Sequence, residues 1–156
     1  MSFIAGRYNV TLGGSTVGQL ADGIRLEHTV YKEDIRGDNF MQQIQDALFH
    51  GQDMSAAYEL IEYNATSARA AFWPYGSGYL NQSVVIATLD TANAGQLILT
   101  ALAGTPAAAT PASMTFPLAI LQKNFPLGIL FSPRLRRVPI RQQLYSNSSG
   151  VFGTST

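Results

Sequence analysis

The sequence lacks cysteine, so the chain can form neither disulfide bonds nor thiolate metal sites. Charged residues are also scarce, at 13% of the 156 residues, which is about half the usual share. Soluble monomers normally cover more of their surface with charge. The scarcity therefore favours a chain that buries part of its surface against copies of itself.

Acidic residues are missing from the last part of the chain, since none follows Asp90. Residues 1–90 carry ten acids and five bases, whereas residues 91–156 carry five bases, so the two parts have net charges of −5 and +5. The formal net charge of the whole chain is zero, which argues against a nucleic-acid-binding protein with its excess of basic residues. The separation predicts two surfaces of opposite sign.

Long uninterrupted apolar segments are absent as well. The best stretch, residues 84–103, is broken by Asp90 and two further polar residues, and residues 116–131 contain Lys123 and two prolines. Neither stretch has the composition of a membrane span, and residues 1–12 are too polar for a signal peptide. We therefore expect no membrane partner.

The patterns that are present are mostly those of β-strands. Apolar residues alternate over residues 8–12, and Gly13-Gly14 then predicts a two-residue hairpin turn with Val10 facing Val17. Asp22-Gly23 is typical of a second turn. Further strand patterns cover residues 24–31, 52–63, 83–89, 96–102, 113–121, 127–131 and 137–144.

One helix is predicted over residues 65–73, where Asn64 is a good N-cap and Pro74 ends the pattern. Residues 40–49 fit a short helix or an extended segment almost equally well. The sum is a mainly β chain with one helix (α+β), arranged as an antiparallel β-sandwich or barrel with the helix packed on it.

A single domain is expected over residues 1–145. Residues 103–112 are rich in Ala, Thr and Pro, which predicts a flexible loop within that domain. Residues 146–156 are rich in Ser, Gly and Thr and predict a flexible C-terminal arm. Val151 and Phe152 give this arm apolar side chains with which to dock.

Motifs for catalysis or cofactor binding are incomplete. Residues 13–20 have the glycine spacing of a phosphate-binding loop, but Gln19 and Leu20 stand where a lysine and a magnesium-binding hydroxyl are required. The two histidines, His28 and His50, have no oriented partner that the sequence reveals. We therefore expect no catalytic residue, no metal and no cofactor, and a protein that is not an enzyme.

Two groups of charged residues are candidates for contacts between subunits. The basic group is the densest charge cluster of the chain: Arg134, Arg136, Arg137 and Arg141. No aromatic residue is interleaved among these arginines, which argues against a groove for nucleic-acid bases. The acidic group lacks the spacing of a calcium loop: Glu33, Asp34, Asp38, Asp46 and Asp53. A solvated surface is the alternative for both groups.

Residues 32–62 resemble the subunits of bacteriophage tail tubes. Asp38-Asn-Phe40 leads to Asp46-Ala-Leu-Phe-His-Gly51, which is similar to an "Asp-apolar-apolar-x-x-Gly" step of that family. A strand and the predicted helix follow in the same order. The opening Gly6-Arg-Tyr8 with its Gly-Gly turn is similar too, as are the closing segments Phe131-Ser-Pro-Arg134 and Arg137-Val-Pro-Ile-Arg141.

The resemblance implies a structural virion protein of the tail tube fold. Subunits of that family form homohexameric rings whose inner sheets join into a continuous β-barrel, and the rings stack into a tube through which viral DNA passes during ejection. The implied partners are copies of itself, other tail or connector proteins, and genomic DNA that is not bound sequence-specifically. The implied location is the virion, with the host cytoplasm during assembly.

Other interpretations stay open at this point. A tube initiator or terminator would share the same fold. A small ligand- or glycan-binding β-sandwich module could use Trp73 and the tyrosines that follow it. A hydrolase is a third alternative, against which the missing nucleophile motif argues.

Overall fold

The computed structural model describes residues 8–37, 44–61, 73–75, 84–102, 111–124, 126 and 137–156. Over these residues it has seven strands and one short helix. The bounds are β1 (Tyr8–Leu12), β2 (Ser15–Arg36), β3 (Ile44–Leu60), α1 (Asp90–Asn93), β4 (Gly95–Ala101), β5 (Ser113–Leu121), β6 (Val138–Tyr145) and β7 (Thr154–Ser155). The expected mainly β, antiparallel class is confirmed.

Six of the strands close on themselves. The sheet runs in the order β4-β1-β2-β3-β6-β5, and β4 also pairs with β5, so the first and last strands of the six are joined. Every pairing is antiparallel. Because the sheet closes, each of the six strands has a hydrogen-bonded neighbour on both sides along the part that lies within the barrel.

The core fills the inside of this barrel. Strands β1 and β6 alternate regularly between buried and half-buried residues, as a strand with one face in the core must. Fully buried apolar side chains come from all six barrel strands: Val10, Leu20, Leu60, Leu97, Leu99, Ile120, Val138, Ile140 and Leu144. Gln142 is 1% exposed among them and accepts a hydrogen bond from the Tyr58 hydroxyl at 3.2 Å.

The first hairpin forms at the predicted turn. Gly13 and Gly14 have φ of 58° and 88°, the positive values that the turn requires. The predicted pairing was off by one residue, because Val10 lies opposite Gly18 rather than Val17. An irregularity between Val10 and Thr11 shifts the register at that point.

The second predicted turn does not form. Strand β2 continues through Asp22-Gly23 to Arg36, and the register against β3 shifts between Leu20 and Ile24 instead. Gly23 has a φ of 84°, so the glycine accommodates an irregularity within one long strand. The extended alternative is correct for residues 44–49, which begin β3.

The remaining predictions of helices and strands have different outcomes. Strands at residues 96–102, 113–121 and 137–144 are confirmed as β4, β5 and β6. Residues 84–89 form no strand but turns, followed by α1, which the sequence did not predict. The predicted helix before Trp73, the strand at 127–131 and residues 103–110 of the predicted loop lie outside the described residues.

Strands β2 and β3 extend beyond the barrel. β1 pairs with β2 only up to Gln19, and β6 pairs with β3 only from Met54 onward. Among the described strands, residues 29–36 of β2 and 44–53 of β3 therefore pair only with each other. We call this two-stranded ribbon the arm. At about 3.3 Å per residue it projects roughly 25 Å.

The C-terminal segment, residues 146–156, lies along β5. Thr154 and Ser155 form β7 against Thr115 and Met114, and the Thr156 amide donates to the Ser113 carbonyl oxygen at 3.0 Å. The segment that was predicted as a flexible C-terminal extension, residues 146–156, therefore lies on the barrel. The flexibility of this segment stays a prediction.

Candidate assembly surfaces

The arm exposes large apolar side chains. Phe49 is 58% exposed and Leu48 is 55% exposed, which is unusual for residues in regular strands of a folded domain. Four more side chains of the arm are exposed in the same way: Val30, Tyr31, Ile35 and Ile44. A cluster of this kind is typical of a surface that another molecule covers.

Both faces of the arm are apolar. Successive side chains of a strand point to opposite faces, so Val30 lies on one face with Lys32 and its partner Phe49. Tyr31 lies on the other face with Ile35, and Leu48 joins them opposite Glu33. A single flat contact could therefore cover only half of these side chains.

The acids predicted for subunit contacts come together on the arm. Glu33, Asp34, Asp46 and Asp53 all lie on it, and Asp38 lies between its strands, outside the described residues. Glu33 contacts His50 at 2.9 Å, Asp34 contacts Arg36 at 3.5 Å, and Asp53 accepts a hydrogen bond from Tyr31 at 2.9 Å. Asp46 accepts from the Ala47 amide. The Asp53 carboxylate raises the pKa of Tyr31, through the hydrogen bond first and its charge second.

The two described arginines of the basic group lie on the barrel. Arg137 directly precedes β6 and Arg141 lies within it, while Arg134 and Arg136 fall outside the described residues. Arg137 contacts Glu59 at 3.5 Å, and Arg141 contacts Glu27. Neither partner is among the predicted acids. The described members of the two groups thus lie on different parts of the chain, and each has a partner within its own chain.

An apolar groove lies between the base of the arm and the C-terminal segment. Its volume is about 420 Å³. The lining side chains include Leu26, Met54, Met114, Phe116, Val151 and Phe152. Gly153 lies so close to the Phe116 ring that an added Cβ would come within 2.5 Å of it. The C-terminal segment is therefore held tightly enough to form one wall.

A cluster of polar residues lies around the start of α1. Tyr145 and Tyr75 both donate hydrogen bonds to the Asp90 carboxylate, at 2.7 and 3.2 Å. Desolvation, followed by the Asp90 hydrogen bond and charge, raises the pKa of Tyr145 to about 12. Lys123 and Gln143 line the same small cavity of about 170 Å³. This cluster fastens α1 to β6.

Trp73 packs against the barrel rather than standing free. An added Cβ at Gly95 would come within 2.5 Å of its ring, and one at Gly13 within 3.3 Å. The ring therefore closes over two glycines and contacts the core. A sugar-stacking platform requires an open ring face, so this packing gives no support to the glycan-binding alternative.

Chemistry-bearing groups are sparse in the part of the chain that the structure describes. His28 contacts Gln52 at 2.8 Å, and both His28 and His50 are exposed. No group of three or more metal-ligating His, Asp or Glu residues occurs within the described ranges. Likewise, none of the described helices is long and apolar enough to cross a membrane.

The fold and these surfaces define a small antiparallel β-barrel that carries a projecting, apolar two-stranded arm. No model of a known protein family matches the chain, and no curated protein matches it significantly.

Proposed function

We propose that this chain is a structural subunit that assembles with copies of itself into stacked rings, as a tail tube protein of a bacteriophage does. The arm carries the proposal, since it combines exposed apolar side chains on both faces with two strand edges that no other described strand pairs with. The order of sequence segments that resembles tail tube subunits supports the particular assembly. The rings would form a channel for viral DNA within the virion.

The open edges of the arm favour pairing with another chain. Within the described part of the chain, each strand has a hydrogen-bonded neighbour on one side only along residues 29–36 and 44–53. Exposed edges of this length promote strand addition and aggregation unless a partner covers them. An ordered assembly that covers them at fixed positions removes this hazard.

The free energy gained by burying the apolar side chains of the arm favours several contacts per copy over a single one. Full burial of a large apolar side chain contributes about 1.5–3 kcal/mol, so covering six half-exposed side chains contributes roughly 6 kcal/mol. Association of two proteins costs about 4–15 kcal/mol in lost freedom. A contact through one face of the arm, with about half of that gain, would be weak by itself. Repeated contacts in a closed ring or stack overcome this cost.

Charge gives the contacts a direction. Residues 27–53 contain six acids and two bases, a net charge of −4, whereas residues 91–156 have a net charge of +5. Among the described residues, four of these six acids lie on the arm, whereas Arg137 and Arg141 lie at β6 of the barrel. A contact between unlike surfaces is heterologous, and heterologous contacts generate rings or filaments.

Replacement of both Leu48 and Phe49 by serine tests this proposal. We expect the variant to remain monomeric where the wild type forms rings or longer polymers, measured by sedimentation velocity and negative-stain microscopy. Exposed positions of this kind change stability by only about 0.5 kcal/mol, so the monomer should stay folded.

The matched control replaces Val85 and Ile86 by serine. These residues are 74% and 81% exposed and belong to the turns before α1 rather than to the arm, so this variant should assemble like the wild type. A wild-type protein that stays monomeric at high concentration would refute the proposal. Normal assembly of the arm variant would refute the role of the arm.

A further inference from the structure

Two arginines converge on one glutamate on the outer face of the barrel. Arg25 of β2 pairs with Ala57 of β3, and Ala57 pairs in turn with Arg141 of β6, so these three residues form one row across the sheet. Tyr58, the next residue after Ala57, is buried, so the row faces outward. One oxygen of Glu27 lies 3.3 Å from Arg25 Nε and the other contacts Arg141. The bridging carboxylate thus holds both guanidinium groups over the middle strand.

A cavity of about 410 Å³ opens beside these arginines. Ala57 lies between the two arginines and contributes only a methyl group, and Gly23 in the same lining contributes no side chain. The cavity also borders the irregularity between Leu20 and Ile24, where the pairing of β2 with β3 shifts. Small residues therefore leave open space between two cationic side chains.

Positive charge is in excess around this cavity. The side chains that the structure describes there include three arginines and two glutamates: Arg25, Arg137, Arg141, Glu27 and Glu59. Arg141 Nε is buried, and no group among the described residues accepts a hydrogen bond from it. A buried charged donor without an acceptor is unfavourable. The two glutamates therefore leave one positive charge and one buried donor unmatched.

We propose that this cavity binds a phosphate group, either as free phosphate or as the monoester of a small organic molecule. An arginine fork makes paired hydrogen bonds to phosphate oxygens. Arg25 contacts Glu27 through Nε, so its two terminal nitrogens can face a ligand. A phosphate dianion supplies the charge that balances the excess and more oxygens than a carboxylate has. This site goes beyond the proposed assembly, since it lies on the barrel rather than on the arm.

Calorimetric titration of the full chain with sodium phosphate at pH 8 tests the site, with the ionic strength held constant by sodium chloride. We expect saturable binding of one phosphate per chain. The melting temperature should rise with phosphate concentration, because a ligand that binds only the folded chain stabilises it. A parallel titration with glycerol 1-phosphate distinguishes the two sources. Tighter binding than that of phosphate assigns the site to a monoester, and equal or weaker binding assigns it to free phosphate.

Two variants separate a built site from a general effect of salt. Arg25→Gln removes a cation whose side chain is 79% exposed, so the fold should be retained. Ala57→Leu keeps every charge but fills the space between the two arginines. Each change should weaken phosphate binding at least tenfold. The matched control, Arg36→Gln, removes an arginine of the arm and should bind phosphate like the wild type.

The contrary outcomes are specific. A wild-type chain without saturable phosphate binding would overturn the proposal, as would acetate binding as tight as that of phosphate at the same ionic strength. Unchanged binding by Arg25→Gln would exclude this arginine as a ligand and overturn the site. Unchanged binding by a folded Ala57→Leu, judged by circular dichroism, would show attraction without a cavity and overturn it too. If Ala57→Leu does not fold, Arg25→Gln decides, and none of these results depends on whether the chain assembles.

Discussion

At the scale of single residues, hydroxyl groups secure the parts of the barrel that apolar packing alone would not. Tyr58 donates to Gln142 within the core, and burial raises the pKa of Tyr58. Tyr145 and Tyr75 hold Asp90 at the start of α1, a helix of four residues without a side-chain N-cap. So short a helix gains little from its own backbone, and its position depends on these bonds.

Replacement of Tyr145 by phenylalanine should lower the free energy of unfolding by about 1 kcal/mol near pH 8, since a hydrogen bond to a carboxylate is lost. The pKa of Tyr145 is raised from 10 to about 12 in the folded chain. Its contribution is therefore complete below pH 10 and is lost as the pH rises through 12.

Urea unfolding of the wild type and of Tyr145→Phe at pH 8, 10 and 11.5 measures this dependence. The stability difference between the two proteins should shrink across that series. A difference that stays constant up to pH 11.5 would show that the hydroxyl contributes nothing through its protonation state.

At the scale of elements, the arm has fewer hydrogen-bonded neighbours than the barrel strands. Within the described residues, its two strands pair only with each other, outside the closed barrel. An isolated two-stranded hairpin is marginally stable in water. In the proposed assembly, a neighbouring chain therefore supplies much of the order of the arm, whereas the barrel strands have partners on both sides in their own chain.

Hydrogen exchange should show this contrast. In the monomeric Leu48→Ser, Phe49→Ser variant, amides of residues 29–36 and 44–53 should exchange many times faster than those of β4 and β6, because local opening of the arm costs little. In the assembled wild type, the arm should become protected to a degree near that of the barrel. Equal protection of the arm in both states would contradict its dependence on neighbours.

The sequence predicted the elements whose alternation is clean. β6 and the middle of β4 follow period-two patterns, and the Gly13-Gly14 turn has a strict backbone requirement, so local chemistry was sufficient there. The continuity of β2 was missed because Asp22-Gly23 is typical of turns, while pairing with β3 keeps the chain extended there. α1 was missed because its position depends on distant tyrosines rather than on its own residues.

Only part of the candidate site was predictable. Four of the acids predicted for subunit contacts lie on one element, the arm, and their role in contacts stays a prediction. The exposed Leu48 and Phe49 were not predicted as contact residues, since apolar residues in a strand normally indicate a core face. The groove could not be inferred either, because its lining comes from β2, β3, β5 and the C-terminal segment.

At the scale of the whole molecule, charge is divided between the arm and the remainder of the chain. Exposed ion pairs contribute only about 0–1 kcal/mol each, and the described arm acids already have partners in their own chain. The division therefore affects the rate and orientation of association more than its strength.

Assembly should accordingly slow as salt is added. The Debye length falls from about 10 Å at 0.1 M to about 3 Å at 1 M, which screens the attraction between arm and barrel. Light scattering should show an initial rate several-fold lower at 0.5 M than at 0.05 M sodium chloride, with a similar final extent. A rate that is unchanged or higher in salt would argue against oppositely charged surfaces.

The filled interior of the barrel has a consequence for transport. Leu20, Leu60, Leu97 and Leu99 occupy the space that the closed strands enclose, so nothing larger than a water molecule can thread a single subunit. Any conduit must run between subunits instead. The diameter of the conduit is then set by the number of copies around the axis. A ring with a different number of copies would have a conduit of different diameter, with no change in the fold of the chain.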